Sequence, residues 1–279
     1  MVHYNQGRYD EALKYYTEAL EIGKEIGAKS GIAMSLNNIG LIHCAQGRYD
    51  EALKYYTESL EIRKEIGAKY GIAESLSGMK DTYLSLGLFD KGIKNGEEAL
   101  SIYEEIGAKD ELLRALASLI HSYAEIGDIK NAKEYIEKAH RIEEELPESE
   151  ATVPLRLSIS RFYEKEVNLA EAIKYAEETL EKAKANRDLY NQAEAYILLC
   201  ELRKEDTEEY AESSLAIGKK INSLPIIWKS YYHLYKATQD KNYLVKAKEY
   251  LNKQLEHIPS EYINNFNELV KNYTKGELQ

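Results

Sequence analysis

The stretch Gly-Arg-Tyr-Asp-Glu-Ala at residues 47–52 decides the fold, because the same phrase returns along the chain. Variants of it begin at four glycines spaced 40 residues apart, Gly7, Gly47, Gly87 and Gly127. Three weaker copies follow, near residues 167, 210 and 242. Residues 5–29 and 45–69 differ at only three positions, so these two segments must share one local structure. Self-similarity at a period of this length is typical of repeat arrays.

Each repeat is predicted to hold two helices. Behind the phrase, an amphipathic stripe at helical spacing is formed by Ala52, Leu53, Tyr56, Leu60 and Ile66. Asp50 is the predicted N-cap of this helix, and Gly67 is its predicted stop. A second stripe, from Leu36 to His43, predicts another helix that ends just before Gly47. Each repeat is therefore a predicted hairpin of helix A followed by helix B.

The order of small and aromatic residues resembles the tetratricopeptide repeat signature. The matching residues of the second repeat are Leu36, Ile39, Gly40, His43, Gly47, Tyr49, Ala52, Tyr56 and Ser59. The resemblance implies an all-α fold, a right-handed α-solenoid of stacked antiparallel helix hairpins. The 40-residue period resembles the long-repeat variants of kinesin light chains and bacterial regulators. In later repeats Lys80, Ile120, Ser160 and Cys200 replace Gly40 at the helix crossing, so we expect those hairpins to splay slightly more.

The predicted solenoid covers residues 1–259, and residues 260–279 are a predicted C-terminal capping helix and tail that solvates the last repeat. The expected units are 1–29 (truncated), 30–69, 70–109, 110–149, 150–189, 190–224 (shortened) and 225–259. Contacts between neighbouring repeats, rather than one central core, are expected to hold such an array together.

The first unit lacks nearly all of its helix A, so Leu13, Tyr16 and Leu20 are expected to present uncovered apolar surface. Two explanations stay open at this point. The chain is a piece of a longer array, or its N-terminal face is a surface for self-association.

Composition argues against several classes of function. Lys and Arg number 37 against 48 Asp and Glu, a net charge of -11, which disfavours nucleic acid and anionic membranes as partners. No apolar run approaches the roughly 18 residues of a membrane span. The first six residues carry neither Lys nor Arg and lead into no apolar segment, so no signal peptide is expected. We therefore predict a cytoplasmic protein.

No catalytic motif is present in the sequence. It has no glycine-rich phosphate loop, no dinucleotide fingerprint, no zinc-protease motif and no nucleophile elbow. Cys44 and Cys200, the two cysteines, are far apart, so they form neither a disulfide framework nor a zinc pair. His43 is predicted to be a half-buried core imidazole. We expect no enzymatic activity, no cofactor and no metal.

The family resemblance implies that the concave surface, lined by the A helices, is the binding site. The candidate peptide-binding residues are Asn37, Asn38, Leu41, Ser77, Asp81, Arg114, Ser118, His121 and Arg161. An asparagine amide offers both a donor and an acceptor and can clamp the backbone of an extended peptide. Arg114, His121 and Arg161 would add a cationic patch for a carboxylate. These residues predict a non-enzymatic protein-interaction scaffold that binds a peptide or partner segment.

Two other functions stay open. The array would serve as a ligand-sensing module of a larger signalling or transcription regulator, in which case an effector domain would lie elsewhere in the chain. The sequence upstream of residue 1 would discriminate this function. Alternatively, it would form homo-oligomers through the uncapped N-terminal repeat. A monomer in sedimentation at high concentration would exclude this last function.

Overall fold

A computed structural model describes residues 9–146, 149–203 and 205–278, and this part of the chain is an all-α repeat solenoid, as predicted. Its helices include one short 3-10 helix, Ser260–Tyr262, and no strand is present among the described residues. The α-helices are α1 (Tyr9–Glu25), α2 (Lys29–Gln46), α3 (Tyr49–Glu65), α4 (Lys69–Ser85), α5 (Phe89–Ile106), α6 (Lys109–Glu125), α7 (Ile129–Glu145), α8 (Thr152–Lys165), α9 (Leu169–Ala185), α10 (Leu189–Leu202), α11 (Thr207–Lys220), α12 (Leu224–Thr238), α13 (Lys241–Leu255) and α14 (Ile263–Thr274).

The even-numbered helices from α2 to α12 are A helices, and the odd-numbered helices from α1 to α13 are B helices. The turn from α2 to α3 needs Gly47, whose φ of 81° lies in the left-handed region that glycine enters without strain. Helix α3 begins at Tyr49 without a side-chain cap, so the prediction that Asp50 caps it is wrong. Asp50 lies in the first turn instead, where its charge complements the helix dipole. The first copy of the phrase begins at Gly7, which lies outside the described residues.

At the crossing of helices A and B, one helix supplies a large residue and the other a small one, and the two roles are reversed from the second repeat to the third. In the second repeat Tyr56 is 1% exposed, and a Cβ added to Gly40 would lie 3.0 Å from its ring. In the third repeat Lys80 replaces Gly40 and is buried, while Gly96 replaces Tyr56. A Cβ on Gly96 would lie 3.0 Å from Lys80 Cδ. The glycine thus makes room for the lysine stem, and the expected splaying stays a prediction.

The A helices line the inner, concave side of the solenoid. Each A helix contacts the A helix of the next repeat, most extensively between α6 and α8, whereas neighbouring B helices have at most marginal contact. Elements that approach one another more closely lie on the inside of a curve. Side chains on the free side of the A helices therefore form one continuous inner wall.

The last repeats return to the second and third repeats, so the expectation of contacts between neighbours alone is wrong. Ser223 Oγ donates to the Ala45 carbonyl at 2.9 Å, and the Asp50 amide donates to the His257 carbonyl at 3.1 Å. One core cluster joins Tyr49 and Leu86 to side chains of α12, α13 and α14. The rotation from repeat to repeat therefore brings segments together that are far apart in sequence.

The two ends of the array also differ from the sequence expectations. Phe266 and Val270 of α14 are buried in the shared core, so this helix is more than the solvating cap that was predicted. At the other end Leu20 is 7% exposed because α2 covers it, and Leu13 and Tyr16 are partly buried. The expectation that these three residues form an uncovered stripe is wrong.

Candidate functional site

The inner wall has two halves with different chemistry. We call the concave side of α2, α4 and α6 the open half, and the concave side of α8, α10 and α12 the closed half. Eight of the nine predicted site residues lie on α2, α4 and α6, the helices of the open half, and Arg161 lies on α8 in the closed half. The structure thus places Arg161 in different surroundings from the others.

Ion pairs between helices hold the arginine of the closed half. Arg161 on α8 reaches two carboxylates of α10, with Nη2 at 3.4 Å from Glu194 Oε2 and Nη1 at 3.3 Å from Glu201 Oε2. Burial alone would lower the pKa of Arg161, but Glu201 and Glu194 outweigh it and raise the pKa. Burial likewise opposes ionisation of Glu201, yet Arg161 and His233 hold the pKa of Glu201 far below its usual range. Both groups therefore stay charged at neutral pH.

The C-terminal helix α14 covers the closed half. The hydroxyl of Tyr273 lies 2.8 Å from His233 Nε2, and its ring meets Trp228 edge to face at a centroid distance of 5.5 Å. Burial, with the added negative charge of Glu201, raises the pKa of Tyr273 well above its ordinary value. Tyr232 on α12 donates its hydroxyl to the Thr274 carbonyl at 3.2 Å. These contacts fill the concave space over α10 and α12 with the chain's own residues.

His121 stands at the boundary between the halves. Burial, opposed by the carboxylate of Glu125, lowers its pKa to about 4, so its imidazole is neutral at pH 7. Its Nδ1 atom is buried without a hydrogen-bond partner. Lys165 Nζ lies 3.0 Å from Glu125 Oε2 across α8 and α6. At neutral pH, therefore, the predicted cationic patch keeps one unpaired charge, that of Arg114.

The open half offers polar groups to solvent. Asp81 and Arg114 are exposed, and Asn38, Leu41, Ser77 and Ser118 are partly exposed. Ser118 Oγ donates to Asp81 Oδ1 at 3.0 Å, and Lys80 Nζ lies 3.2 Å from the same oxygen. Arg114 has no ion pair with any residue that the structure describes. A donor group, Arg114, and an acceptor group, Asp81, thus remain accessible on neighbouring A helices.

Asn37 does not reach this surface, although it precedes Asn38. It is 6% exposed, and its Oδ1 atom accepts hydrogen bonds from Arg63 Nη1 and from Ser75 Oγ, both at 3.3 Å. Arg63 also pairs with Glu74 at 2.7 Å. Asn37 therefore joins a buried polar network between α2, α3 and α4.

The sequence analysis missed His233 and Tyr273 as residues of the inner wall. Tyr273 follows the last repeat, so the period gives no position for it. His233 lies on α12 one turn from Lys229, and a helical wheel of that repeat would have placed it on the inner side. The chain carries no comparable signal for the return of α14.

A shallow cleft of about 250 Å³ lies between α7 and α8, lined by His140, Glu143, Glu144 and Arg156. Arg156 is already paired, with Nη2 at 2.7 Å from Glu143 Oε1 and Nε at 3.2 Å from Glu178 Oε2. Ligand pockets usually measure about 300–1,000 Å³ and enclose most of the ligand. This cleft is therefore a weaker candidate than the open half.

The described part of the chain has neither a helix suited to span a membrane nor a cluster of metal-binding side chains. None of its helices combines the length and the apolar character that a membrane crossing requires. Across residues 9–146, 149–203 and 205–278, no group of three or more His, Cys, Asp or Glu side chains is placed to hold a metal ion.

Sequence models of the tetratricopeptide repeat match residues 1–65 and residues 113–145. The chain therefore contains tetratricopeptide repeats. No curated protein matches this tetratricopeptide repeat chain.

Solved structures share the fold of this tetratricopeptide repeat protein. A Rap protein complexed with competence and sporulation factor has a TM-score of 0.64 at 14% identity, over 96% of this chain and 86% of that one. Aspartyl phosphate phosphatase F from Bacillus subtilis has a TM-score of 0.57 at 16% identity, over 92% and 71%. A signal transduction ATPase with a tetratricopeptide repeat sensor, from Pyrococcus horikoshii, has a TM-score of 0.57 at 16% identity. That match covers 95% of this chain but only 43% of the ATPase, so the chain spans less than half of its length.

Proposed function

We propose that this protein binds an extended segment of a partner protein across the open half of its inner wall. Tetratricopeptide repeats are protein-interaction modules, and the proposal concerns where and how this one binds. A single contrast carries it. Asn38, Asp81 and Arg114 remain accessible in the open half, whereas Arg161 of the closed half is paired with two carboxylates and α14 covers that half.

The open half supplies the groups that an extended segment needs. The amide of Asn38 can donate to a backbone carbonyl and accept from a backbone amide of the segment. Arg114 can take a carboxylate in a two-pronged contact, which is among the strongest polar contacts available to a protein. Asp81 can accept from an amide or hydroxyl, and Leu41 gives apolar contact. The preferred ligand is therefore a segment with an acidic side chain placed at Arg114.

The proposal is tested with peptides selected from a displayed library on the wild-type protein. Fluorescence anisotropy then compares their affinity for three variants, Asn38→Ala, Arg114→Ala and, on the exposed outer side of α3, the control Lys54→Ala. Loss of a hydrogen bond to a charged group costs about 1.5–3 kcal/mol, so Arg114→Ala is expected to weaken binding by about tenfold or more. Asn38→Ala is expected to weaken it several-fold, and Lys54→Ala not at all. Equal affinity in all three variants would remove the open half as the binding site.

A sensing role is the second candidate, and the return of the last repeats favours it. Lys91 Nζ donates to the Tyr262 hydroxyl at 2.9 Å, which ties the third repeat to the segment before α14. A ligand that binds the open half more tightly when this contact is broken would shift the equilibrium between the formed and the broken contact. Faster hydrogen exchange at residues 260–262 on binding the selected peptide would support this role, and unchanged exchange would count against it.

A further inference from the structure

Four carboxylates have sequence positions that place them near Arg114. Asp110 and Glu111 precede it by four and three residues on α6, the spacing at which side chains of one helix are neighbours. Glu74 occupies the position on α4 that Arg114 occupies on α6, 40 residues later. Asp81 of α4 contacts α6 one turn beyond Arg114. This arrangement predicts an ion pair, yet the described part of the chain contains none that involves Arg114.

The distance between α4 and α6 does not prevent Glu74 from reaching Arg114. Two shorter side chains, those of Asp81 and Ser118, bridge the same helices with a hydrogen bond of 3.0 Å. Two ion pairs of the inner wall also join residues 40 apart on successive A helices, Lys165 with Glu125 at 3.0 Å and Arg161 with Glu201 at 3.3 Å. The free state of Arg114 therefore depends on what else binds the carboxylates.

Each of the four carboxylates is held by another side chain. Glu74 pairs with Nη2 of Arg63 from α3 at 2.7 Å. The other three are Asp81, held by Ser118 and Lys80, Glu111, held by the Tyr70 hydroxyl at 2.6 Å, and Asp110, held by Ser149. Contacts outside the ligand-binding residues thus engage all the negative charges that would neutralise Arg114.

Glu74 pairs with Arg63 rather than with Arg114 because Arg63 is buried and fixed. The side chain of Arg63 is 6% exposed, and its Nη1 atom donates to Ser75 Oγ at 3.1 Å. Its guanidinium group is therefore already ordered when it meets Glu74. A pair with the exposed Arg114 would be screened by water and would have to order two long side chains.

We propose that Arg63 and Tyr70 are positioning residues that hold Glu74 and Glu111 away from Arg114, and so keep its guanidinium free for a carboxylate of the partner segment. This inference rests on the function proposed above and adds the residues that set the preference for an acidic ligand. Arg63 is not part of the repeat pattern, since Gly23 and Tyr103 stand at the equivalent positions of the neighbouring repeats.

The first test measures the charge preference of the open half. A library-selected peptide whose affinity falls in Arg114→Ala is compared, by anisotropy, with the version in which its acidic side chain is an amide. The wild-type chain is expected to prefer the acidic peptide by about tenfold or more. Arg63→Met releases Glu74, so this preference should fall by about two- to fivefold, the range of exposed ion pairs. Adding Glu74→Gln should restore the preference, although Glu74→Gln alone should change it less than about twofold.

An unchanged preference in Arg63→Met, or no recovery in the double variant, would overturn the inference. Arg63→Lys keeps a charge for Glu74 but loses part of the buried network, and it should keep the preference within about twofold. A fall equal to that in Arg63→Met would mean that Arg63 has only a structural role. Tyr70→Phe leaves the buried network intact and releases Glu111, so it decides the question if Arg63→Met does not fold. It should lower the preference about two- to threefold, whereas the exposed control Tyr15→Phe on α1 should not change it.

The second test needs no peptide, so it separates this inference from the proposed function. Phenylglyoxal reacts with the neutral form of a guanidinium group, and a paired carboxylate favours the charged form. The rate of modification of Arg114, followed by mass spectrometry of its peptide fragments, should fall about two- to fivefold in Arg63→Met and recover with Glu74→Gln. The exposed Arg141 of α7 is the internal reference, and its rate should stay constant. An equal rate at Arg114 in the wild-type chain and in Arg63→Met would overturn the inference, even if peptides bind as proposed.

Discussion

The open and closed halves of the inner wall are built from the same repeat, yet, among the described residues, the arginine of the closed half is paired and the arginine of the open half is not. Arg161 on α8 faces two carboxylates of α10 and lies beside the C-terminal helix. Arg114 on α6 is exposed and has no ion pair in the described part of the chain. Both arginines lie on A helices, which form the inner wall. The closed half differs in the carboxylates that face its arginine and in its cover by α14, a segment outside the repeats.

Replacing each arginine in turn gives the largest expected difference. Arg161→Ala removes the nearer counter-charge of Glu194 and of Glu201, both largely buried, so the free energy of unfolding should fall by about 3–5 kcal/mol. Arg114→Ala removes an exposed side chain and should change it by less than about 0.5 kcal/mol. Urea denaturation followed by circular dichroism measures both. Similar losses in the two variants would erase the distinction between the halves.

Acid should weaken the packing of α2 before it weakens the ion pairs of the closed half. Burial, with a smaller contribution from Arg48, lowers the pKa of His43 on α2 to about 4, whereas an ordinary histidine titrates near 6.5. As the pH falls, His43 is therefore protonated in the unfolded chain before it is protonated in the folded chain. The stability that depends on neutral His43 is complete above pH 6.5 and is lost as the pH falls towards 4. The lowered pKa of Glu201 affects stability at a lower pH than His43 does. The stability that depends on ionised Glu201 is complete above the usual carboxylate pKa range and is lost as the pH falls below that range.

The variant His43→Tyr isolates this effect, because Tyr83, Tyr123 and Tyr163 occupy the equivalent position in later repeats. Between pH 7 and pH 5 the wild-type chain should lose about 2 kcal/mol more than the variant. Urea midpoints at the two pH values give the comparison. Parallel losses in the two proteins would show that His43 does not titrate as described.

The contact that joins the two ends should have the smallest effect. Tyr262→Phe removes the hydroxyl that accepts from Lys91 Nζ but keeps the ring that faces Tyr83. A net loss of about 0.5–1.5 kcal/mol is expected for one hydrogen bond. Lys271→Ala on the exposed side of α14 is the control and should leave stability unchanged. A loss as large as that of Arg161→Ala would mean that this contact, rather than the ion pairs, seals the closed half.

The helices and their hairpins could be predicted because the same sequence pattern recurs in each repeat. Gly47 and the stripe behind it recur in copy after copy, and local propensity and burial favour the same structure. Asn37 and Asn38 mark the limit of that reasoning. They are neighbours in one helix, and Arg63, which stands where the first repeat has Gly23, ties Asn37 into a buried network. A non-repeating side chain thus takes part in the network that holds Asn37 away from the wall.

The closed half could not be predicted from the repeat at all. Its cover depends on contacts such as the one between Ser223 and Ala45, which join residues 178 apart in sequence and occur once. Such a contact follows from the rotation accumulated over several repeats, and small differences in each crossing change where the chain returns. Arg161 was therefore grouped with Arg114 in the sequence analysis although its surroundings differ.

Hydrogen exchange of the full chain with and without a library-selected peptide tests the central claim most directly. The account predicts slower exchange in Lys29–Gln46, Lys69–Ser85 and Lys109–Glu125, the A helices of the open half. It predicts no slowing in Thr152–Lys165, Leu189–Leu202 or Leu224–Thr238. Protection confined to this second set of helices, or protection of neither set by a peptide that binds, would contradict it.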